Sequence, residues 1–252
     1  MNILLINPNT SVSVTNSLAE AARAVAAPAT VITSMTAERG FAYIATRAEA
    51  AVGASVTLEM IARAPADVDA IIIGAFGDPG LGGAREMLDV PVVGLSEAGM
   101  LTACMLGRRF AVVSFARQLA PWYQECVEWH GLTSRCSGIR TLDGSFTSIS
   151  DVQNEKADLL VQLAIDAVEE DGADVVVLAG APLAGLATHI ADRIPVPLVD
   201  CVSAAVKQAE ALHALKPRKA TKGTFSRPAP KAAVGLAPDL VKLFSGPVRP
   251  RK

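Results

Sequence analysis

Aromatic residues are scarce in this 252-residue chain, at 4%. So few rings argue against a stacking platform for single-stranded nucleic acid. Charge of one sign does not dominate either. The formal net charge is -2 and the pI is near 5.9, which excludes a generally basic, nucleic-acid-binding surface. No apolar run reaches the roughly 18 residues that a membrane span needs. The opening MNILLINPNT lacks the basic n-region and small-residue cleavage site of a secretory leader. The four cysteines, Cys104, Cys126, Cys136 and Cys201, form no CxxC pair and no Cys/His ligand spacing. That pattern speaks against a structural zinc site and for a reduced-thiol, cytoplasmic protein. What the chain has in abundance is apolar residue, 51% of the total, enough for a sizeable core and too much for a mainly disordered protein.

Charge is unevenly placed. Residues 216–252 hold ten Lys/Arg and one acid, Asp239, which leaves 13 basic and 24 acidic residues in 1–215. The body therefore carries −11 and the tail +9. Prolines at 217, 228, 230, 238, 247 and 250 argue against a regular fold for the tail beyond a short helix over 238–244. The expectation is a solvated or loosely docked tail, with a nucleic-acid arm as the lesser alternative. Docking of the basic tail on the acidic body of a neighbouring subunit would assist a homo-oligomer.

Short β-branched runs recur at Ile3–Ile6, Val31–Ser34, Ala70–Gly74, Val90–Gly94, Phe110–Ser114, Ser137–Leu142, Val175–Leu178 and Val196–Asp200. The runs near 70 and 175 are apolar almost without interruption, the pattern of strands covered by helices on both faces. Between the runs lie helical segments at Ser11–Ala26, Arg47–Ala64, Ser150–Asp171 and Ser203–Leu215, several with Ser, Thr or Asp at their starts for capping. The alternation predicts an α/β fold with mostly parallel sheets. An internal repeat sharpens this. DAIIIGAFGDPGL starts at Asp69 and DVVVLAGAPLAGL at Asp174, an offset of 105; VPVVGLSEAGM starts at Val90 and VPLVDCVSAAV at Val196, an offset of 106. Two pseudo-symmetric lobes follow, 1–105 and 106–215, each with a four-stranded, mostly parallel sheet, with a helix or strand exchanged between them as an added option. Residues 216–252 form the basic, Pro-rich tail.

In such sheets ligands sit beyond the carboxyl ends of strands. Three loops rich in glycine, proline or small polar residues land there: Asn7–Thr10, Gly74–Gly82 and Ala179–Gly185. Helix starts and free backbone amides suit such loops to an anion, here a carboxylate or amide of a small molecule. None is a GxGxxG or Walker A pattern, so a nucleotide cofactor has little support.

INPNT after the first strand, AFGDPGL after the third, LGRRFAVVSF and the strand-loop near 178–185 resemble the aspartate/glutamate/hydantoin racemase superfamily, and most of all its hydantoin racemase branch. The resemblance covers about residues 1–215. It implies two pseudo-symmetric lobes with a cleft between them, no cofactor, and two opposed cysteines acting as bases on the carbon beside a carbonyl. In this chain the two family cysteine positions hold Ala75 and Gly180, with Ala181 as the alternative for the second. Neither residue can carry a proton, and Cys201 is the only cysteine expected near the cleft. Three possibilities stay open: an enzyme of this superfamily using other acid–base groups, a binding protein that kept the cleft, or an engineered cysteine-less form. Racemisation by altered bases is a variant of the first.

The candidate catalytic residues are Asp78, Ser114 and His189. Asp78 is either a base or ring N–H acceptor, or a turn residue ahead of Pro79-Gly80. Asn7, Asn9, Thr10, Ala75, Phe76, Gly77, Gly180, Ala181 and Pro182 are the candidate substrate contacts. Asn9 and Thr10 equally suit a helix cap. Ser96 and Glu97 either face the cleft or open a helix, and Tyr43 and Arg47 either clamp a carboxylate or lie elsewhere, Arg47 at the surface. No metal is expected, nor a nucleic-acid or membrane partner.

Overall fold

The continuous apolar runs become the inner strands of two parallel sheets. The computed structural model describes residues 1–143, 148–149 and 151–245. Among these, β1 (Asn2–Asn7), β2 (Val31–Thr36), β3 (Ala70–Ile73) and β4 (Val92–Gly94) form one sheet in the order β2-β1-β3-β4. β5 (Phe110–Ser114), β6 (Cys136–Thr141), β7 (Val175–Leu178) and β8 (Leu198–Asp200) form the other in the order β6-β5-β7-β8. Every pairing is parallel. β3 and β7 are buried at every residue, because each has strands on both edges and helices on both faces.

The helices are α1 (Val12–Val25), α2 (Arg47–Ala62), α3 (Leu81–Met87) and α4 (Leu95–Leu106) in the first half, and α5 (Ala120–Trp129), α6 (Val152–Glu169), α7 (Ala187–Ile190) and α8 (Cys201–Leu215) in the second. Their starts follow local chemistry. Ser11 caps α1, Thr46 and Glu49 form a reciprocal capping box on α2, and Asp200 caps α8 through the Ser203 amide. The expected cap at Ser150 lies outside the described residues.

The repeat persists in backbone detail. The Asn2 amide donates to Asp69 Oδ2 at 2.7 Å, and the Arg109 amide donates to Asp174 Oδ2 at 2.8 Å. β1 pairs Ile3 with Ala70, and β5 pairs Phe110 with Val175. The connection between the halves is an exchange of helices. α4 leaves β4 and packs on β7 and β8 of the second sheet; α8 leaves β8 and packs on β3 and β4 of the first. The two helices also pack on each other. Gly99 permits this contact, since a Cβ there would stand 2.6 Å from Cys201 Sγ and 3.2 Å from Val177 Cγ1. One apolar core therefore runs through both halves, from Leu5 and Leu18 to Val177 and Val206.

Most of 216–236 is exposed, in line with a solvated or loosely docked tail, but the segment is anchored on its own chain. It runs along its own first half and ends in α9 (Pro238–Ser245), one residue longer than the predicted 238–244. Leu240 and Leu243 are buried in a second apolar cluster with Ile6, Val56, Ile61 and Ile73. Arg227 donates to the Met87 carbonyl at 3.0 Å and to the Leu243 carbonyl, and Lys219 donates to the Arg85 carbonyl. The reason is apolar closure: two leucines three residues apart cover the outer face of the first sheet's helices, and the charges settle around them.

Candidate functional site

The carboxyl ends of β1, β3, β5 and β7 deliver the loops at 7–10, 74–82, 114–116 and 179–185. The first of these is occupied by its own cap. Asn7 Nδ2 donates to Asn9 Oδ1 at 2.9 Å, to Thr15 Oγ1 at 2.9 Å and to the Ser11 carbonyl, while Asn7 Oδ1 accepts from the Asn9 amide. Asn9 Oδ1 also accepts from the Ser11 amide, and both asparagines are buried. The network holds the entry to α1, and Thr10 is tied through its amide to the Phe41 carbonyl at 2.9 Å.

Between the β3 and β7 loops lies a cluster of rings. Phe76 and Tyr123 have ring centroids 4.4 Å apart, Tyr123 and Trp122 5.7 Å, and Tyr43 and Phe115 5.9 Å. Phe76, Phe115 and Tyr123 are buried. A Cβ on Gly180 would stand 2.7 Å from Phe115 Cε1 and 3.7 Å from the Tyr123 hydroxyl. Gly180 has φ +119°, so the loop reaches this ring through a conformation that favours glycine. Ser114 Oγ, fully buried, donates to the Ala179 carbonyl at 2.8 Å and also pairs with the Tyr123 hydroxyl. Burial pushes the Tyr123 phenol well up, and the Tyr43 phenol with it. Both stay protonated, able to donate a hydrogen bond or a proton but not to act as bases.

Asp78 stands in the β3 loop with φ +49° and is buried. Its Oδ1 accepts from the Ser96 amide at 2.9 Å, and its Oδ2 accepts from the Glu97 amide at 2.9 Å and from Ser96 Oγ at 2.6 Å. The carboxylate thus caps α4, where the dipole and unpaired amides favour a negative charge. It touches Gly94, the residue that opens α4, so closely that a Cβ on Gly94 would lie 2.1 Å from Asp78 Cγ. Glu97 pairs with Arg85 through two hydrogen bonds, one of them at 2.9 Å.

His130, at the end of α5, meets both acids. Its Nε2 is 3.5 Å from Asp78 Oδ2 and its Nδ1 is 3.6 Å from Glu97 Oε1. Beside it a cavity of about 310 Å³ opens between residues 77–82 of the β3 loop and one face of α5, with Trp122, Cys126 and Trp129 on its wall. Trp122 seals its inner side: a Cβ on Gly77 would meet Trp122 Cζ2 at 2.2 Å. Cys126, expected far from the repeat loops, therefore lies against the first of them. The i, i+4, i+7 and i+8 spacing of Trp122, Cys126, Trp129 and His130 puts them on one helical face, but only the fold shows what that face meets.

The other three cysteines lie elsewhere. Cys201 is buried under α4, with its Sγ donating to the Leu178 carbonyl at 3.1 Å, and Cys104 and Cys136 are half-buried. Burial raises all four thiols, Cys126 and Cys201 most. His189 is exposed on α7 and does not line this cavity. Arg47 is exposed and bonded to Glu125 Oε1 at 2.7 Å, so it is not free to clamp a carboxylate. Ala75, Phe76 and Gly77 of the β3 loop, and Ala181 and Pro182 beside Gly180, are buried or half-buried at the ring cluster. Among the described residues, no group of three or more His, Cys, Asp or Glu is arranged to hold a metal ion. None of their helices is long and apolar enough to cross a membrane.

Comparison with known proteins decides the family. The model of the Asp/Glu/hydantoin racemase family matches residues 3–209. The chain belongs to this family. It is 34% identical over 233 residues to a hydantoin racemase of Paenarthrobacter aurescens, covering 92% of this chain and 99% of that one. Among solved structures, an allantoin racemase from Klebsiella pneumoniae superposes with a TM-score of 0.90 at 34% identity, covering 95% of this chain and 98% of that one. An arylmalonate decarboxylase, at 17% identity and a TM-score of 0.60, covering 84% of this chain and 92% of that one, shares the fold. Ala75 and Gly180 lie two residues past the ends of β3 and β7, one in each half.

Proposed function

We propose that this racemase-family chain is a cofactor-independent enzyme for a small hydantoin-like ureide or carboxylate of amino-acid type. Its reaction is an isomerase, lyase or hydrolytic step that does not run on two thiols. The observation that carries this reading is the pairing of Ala75 with Gly180 while all four cysteines lie elsewhere, with thiols that burial holds protonated. The polar group nearest Gly180 is the Tyr123 hydroxyl, behind the edge of the Phe115 ring. Proton delivery by Tyr123, with backbone amides of the two repeat loops on developing negative charge, fits this set. Relatives named as hydantoin and allantoin racemases support the ureide class.

The test is incubation in D2O with hydantoins, allantoin, thiohydantoins and substituted malonates, following optical rotation, product and deuterium at the reacting carbon. The expected result is turnover that survives native treatment with iodoacetamide. Absence of turnover on every class, or its complete loss on alkylation, overturns the reading.

A second reading has its own support. Ala75 and Gly180 cannot carry a proton, which suits a non-catalytic binder of a small anion. That protein would raise its Tm with a ligand recovered unchanged. Self-association into a homo-oligomer belongs to either reading. Leu101, Met105 and Leu106 are exposed on α4, and a solution mass above the 26.1 kDa of one chain is expected.

A further inference from the structure

His130 is nine-tenths buried, yet neither ring nitrogen lies within 3.4 Å of a carboxylate; the closest approaches are the 3.5 and 3.6 Å contacts to Asp78 and Glu97. The ring joins three elements. Asp78 belongs to the β3 loop, Glu97 to the first turn of α4, and His130 follows α5 of the second half. Asp78 also closes the turn that carries Ala75, since its amide donates to the Ala75 carbonyl at 3.1 Å. The placement of Ala75 and Phe76 is therefore mechanically connected to whatever holds Asp78.

We propose that His130 is a positioning residue for the β3 loop: its imidazolium ties Asp78 and Glu97 to α5, so that its charge sets how firmly Ala75 and Phe76 are held against the second half. The charged groups around the ring account for the sign. Asp78 and Glu97 face it directly. Arg85 of α3 stands behind Glu97 and neutralises part of its charge. From α5 come the protonated Cys126 thiol and Glu125, whose carboxylate is turned to Arg47. A charged ring is held by two acids; a neutral ring leaves one ring nitrogen without a proton beside a carboxylate, and that contact becomes repulsive. With the ring charged the loop is held tightly; with the ring neutral it loosens.

The fold supplies its own reporter. The chain has two tryptophans, and both Trp122 and Trp129 line the cavity beside His130. It has three histidines, and the others are His189 on α7 and His213 on α8. The experiment follows tryptophan emission from pH 5 to 9, with hydrogen exchange of the amides of residues 77, 78, 80–82, 96 and 97, corrected for intrinsic rates. Wild type is compared with His130→Gln and with the double variant His189→Gln/His213→Gln. The expected result is an emission step, with roughly tenfold faster corrected exchange at the alkaline end, the scale of one lost charge pairing. Both features should persist in the double variant and vanish in His130→Gln. A wild type without the step, a step retained in His130→Gln, or a step lost in the double variant overturns the proposal. If His130→Gln does not fold, the double variant decides alone, because His130 is then its only imidazole. No substrate is needed, so the outcome is independent of the proposed reaction.

Discussion

The two halves solve one problem with opposite parts. Each must fix the loop after its third strand to the helix after its fourth, and each uses a buried carboxylate. In the first half the loop supplies it: Asp78 reaches across to the amides of Ser96 and Glu97, and the helix opens with Gly94, which leaves the space empty. In the second half the helix supplies it: Asp200, at the position matching Gly94, caps its own helix through Ser203 and reaches back to the Gly185 amide at 2.8 Å. The matching loop residue, Leu183, is apolar and buried. A duplicated fold conserves the location of a needed charge more strictly than the residue that carries it. The consequence differs between the halves, because only Asp78 also faces a histidine across the interface.

The comparison can be broken most forcefully at the loop glycines. Gly77→Ala places a methyl on the Trp122 ring at a φ of +105° and should destabilise by about 3–4 kcal/mol. Gly180→Ala meets one edge of Phe115 and should cost about 2 kcal/mol, partly relieved by Phe115→Ala. Urea denaturation of each variant gives the order. Next come the carboxylates. Asp78→Ala strands three donors and should lose about 2–3 kcal/mol, against about 1–2 kcal/mol for Asp200→Ala, which strands two.

A swap sharpens the same contrast. The nearest atoms to a Cβ on Gly94 all belong to Asp78, and Gly94 has an ordinary φ of −95°. Asp78→Gly with Gly94→Asp should recover about 1 kcal/mol over Asp78→Gly alone, by rebuilding the second half's arrangement in the first. Failure to recover anything would mean that the halves are not interchangeable at this point.

The smallest expected effect concerns the outer strands. β6 carries Arg140, bonded to Asp171 Oδ2 at 2.6 Å, whereas the matching position in β2 is Met35. The Arg140 guanidinium holds the Asp171 carboxyl below its ordinary value. The pair's contribution is thus present at neutral pH and lost as pH falls through the acid range and the carboxylate is protonated. Arg140→Met should lower Tm slightly at pH 7 and not at all below the range in which Asp171 titrates. Thiol chemistry gives an independent check: native Cys126 and Cys201 should resist iodoacetamide until the chain unfolds, because burial holds both thiols protonated.

Strands and repeat were legible because they follow from local pattern. All eight expected runs coincide with observed strands to within two residues at either end; the inner strands follow from continuous apolar runs, whereas the outer β2 and β6 are partly polar and not fully buried. The site was less legible. The Asp of a DPG turn reads as a turn residue or as a base, and the sequence offers no sign of the helix start, 18 residues on, that this carboxylate caps. His130 gave no signal at all, because its partners lie 52 and 33 positions away and belong to elements of the other half. His189, adjacent in sequence to a repeat loop, was the more visible histidine and stands at the surface.

By itself the sequence determined the α/β class and the twofold repetition, both of which depend on neighbours within a few residues or on a fixed offset. Only the tertiary structure decided that α4 and α8 trade sheets, that Leu240 and Leu243 close the outer cluster, and that rings from 76, 115 and 123 converge beside Gly180. Those outcomes depend on which apolar faces find each other across the whole chain. Hydrophobic attraction is non-directional, so its partners are chosen by shape and packing rather than announced by local pattern.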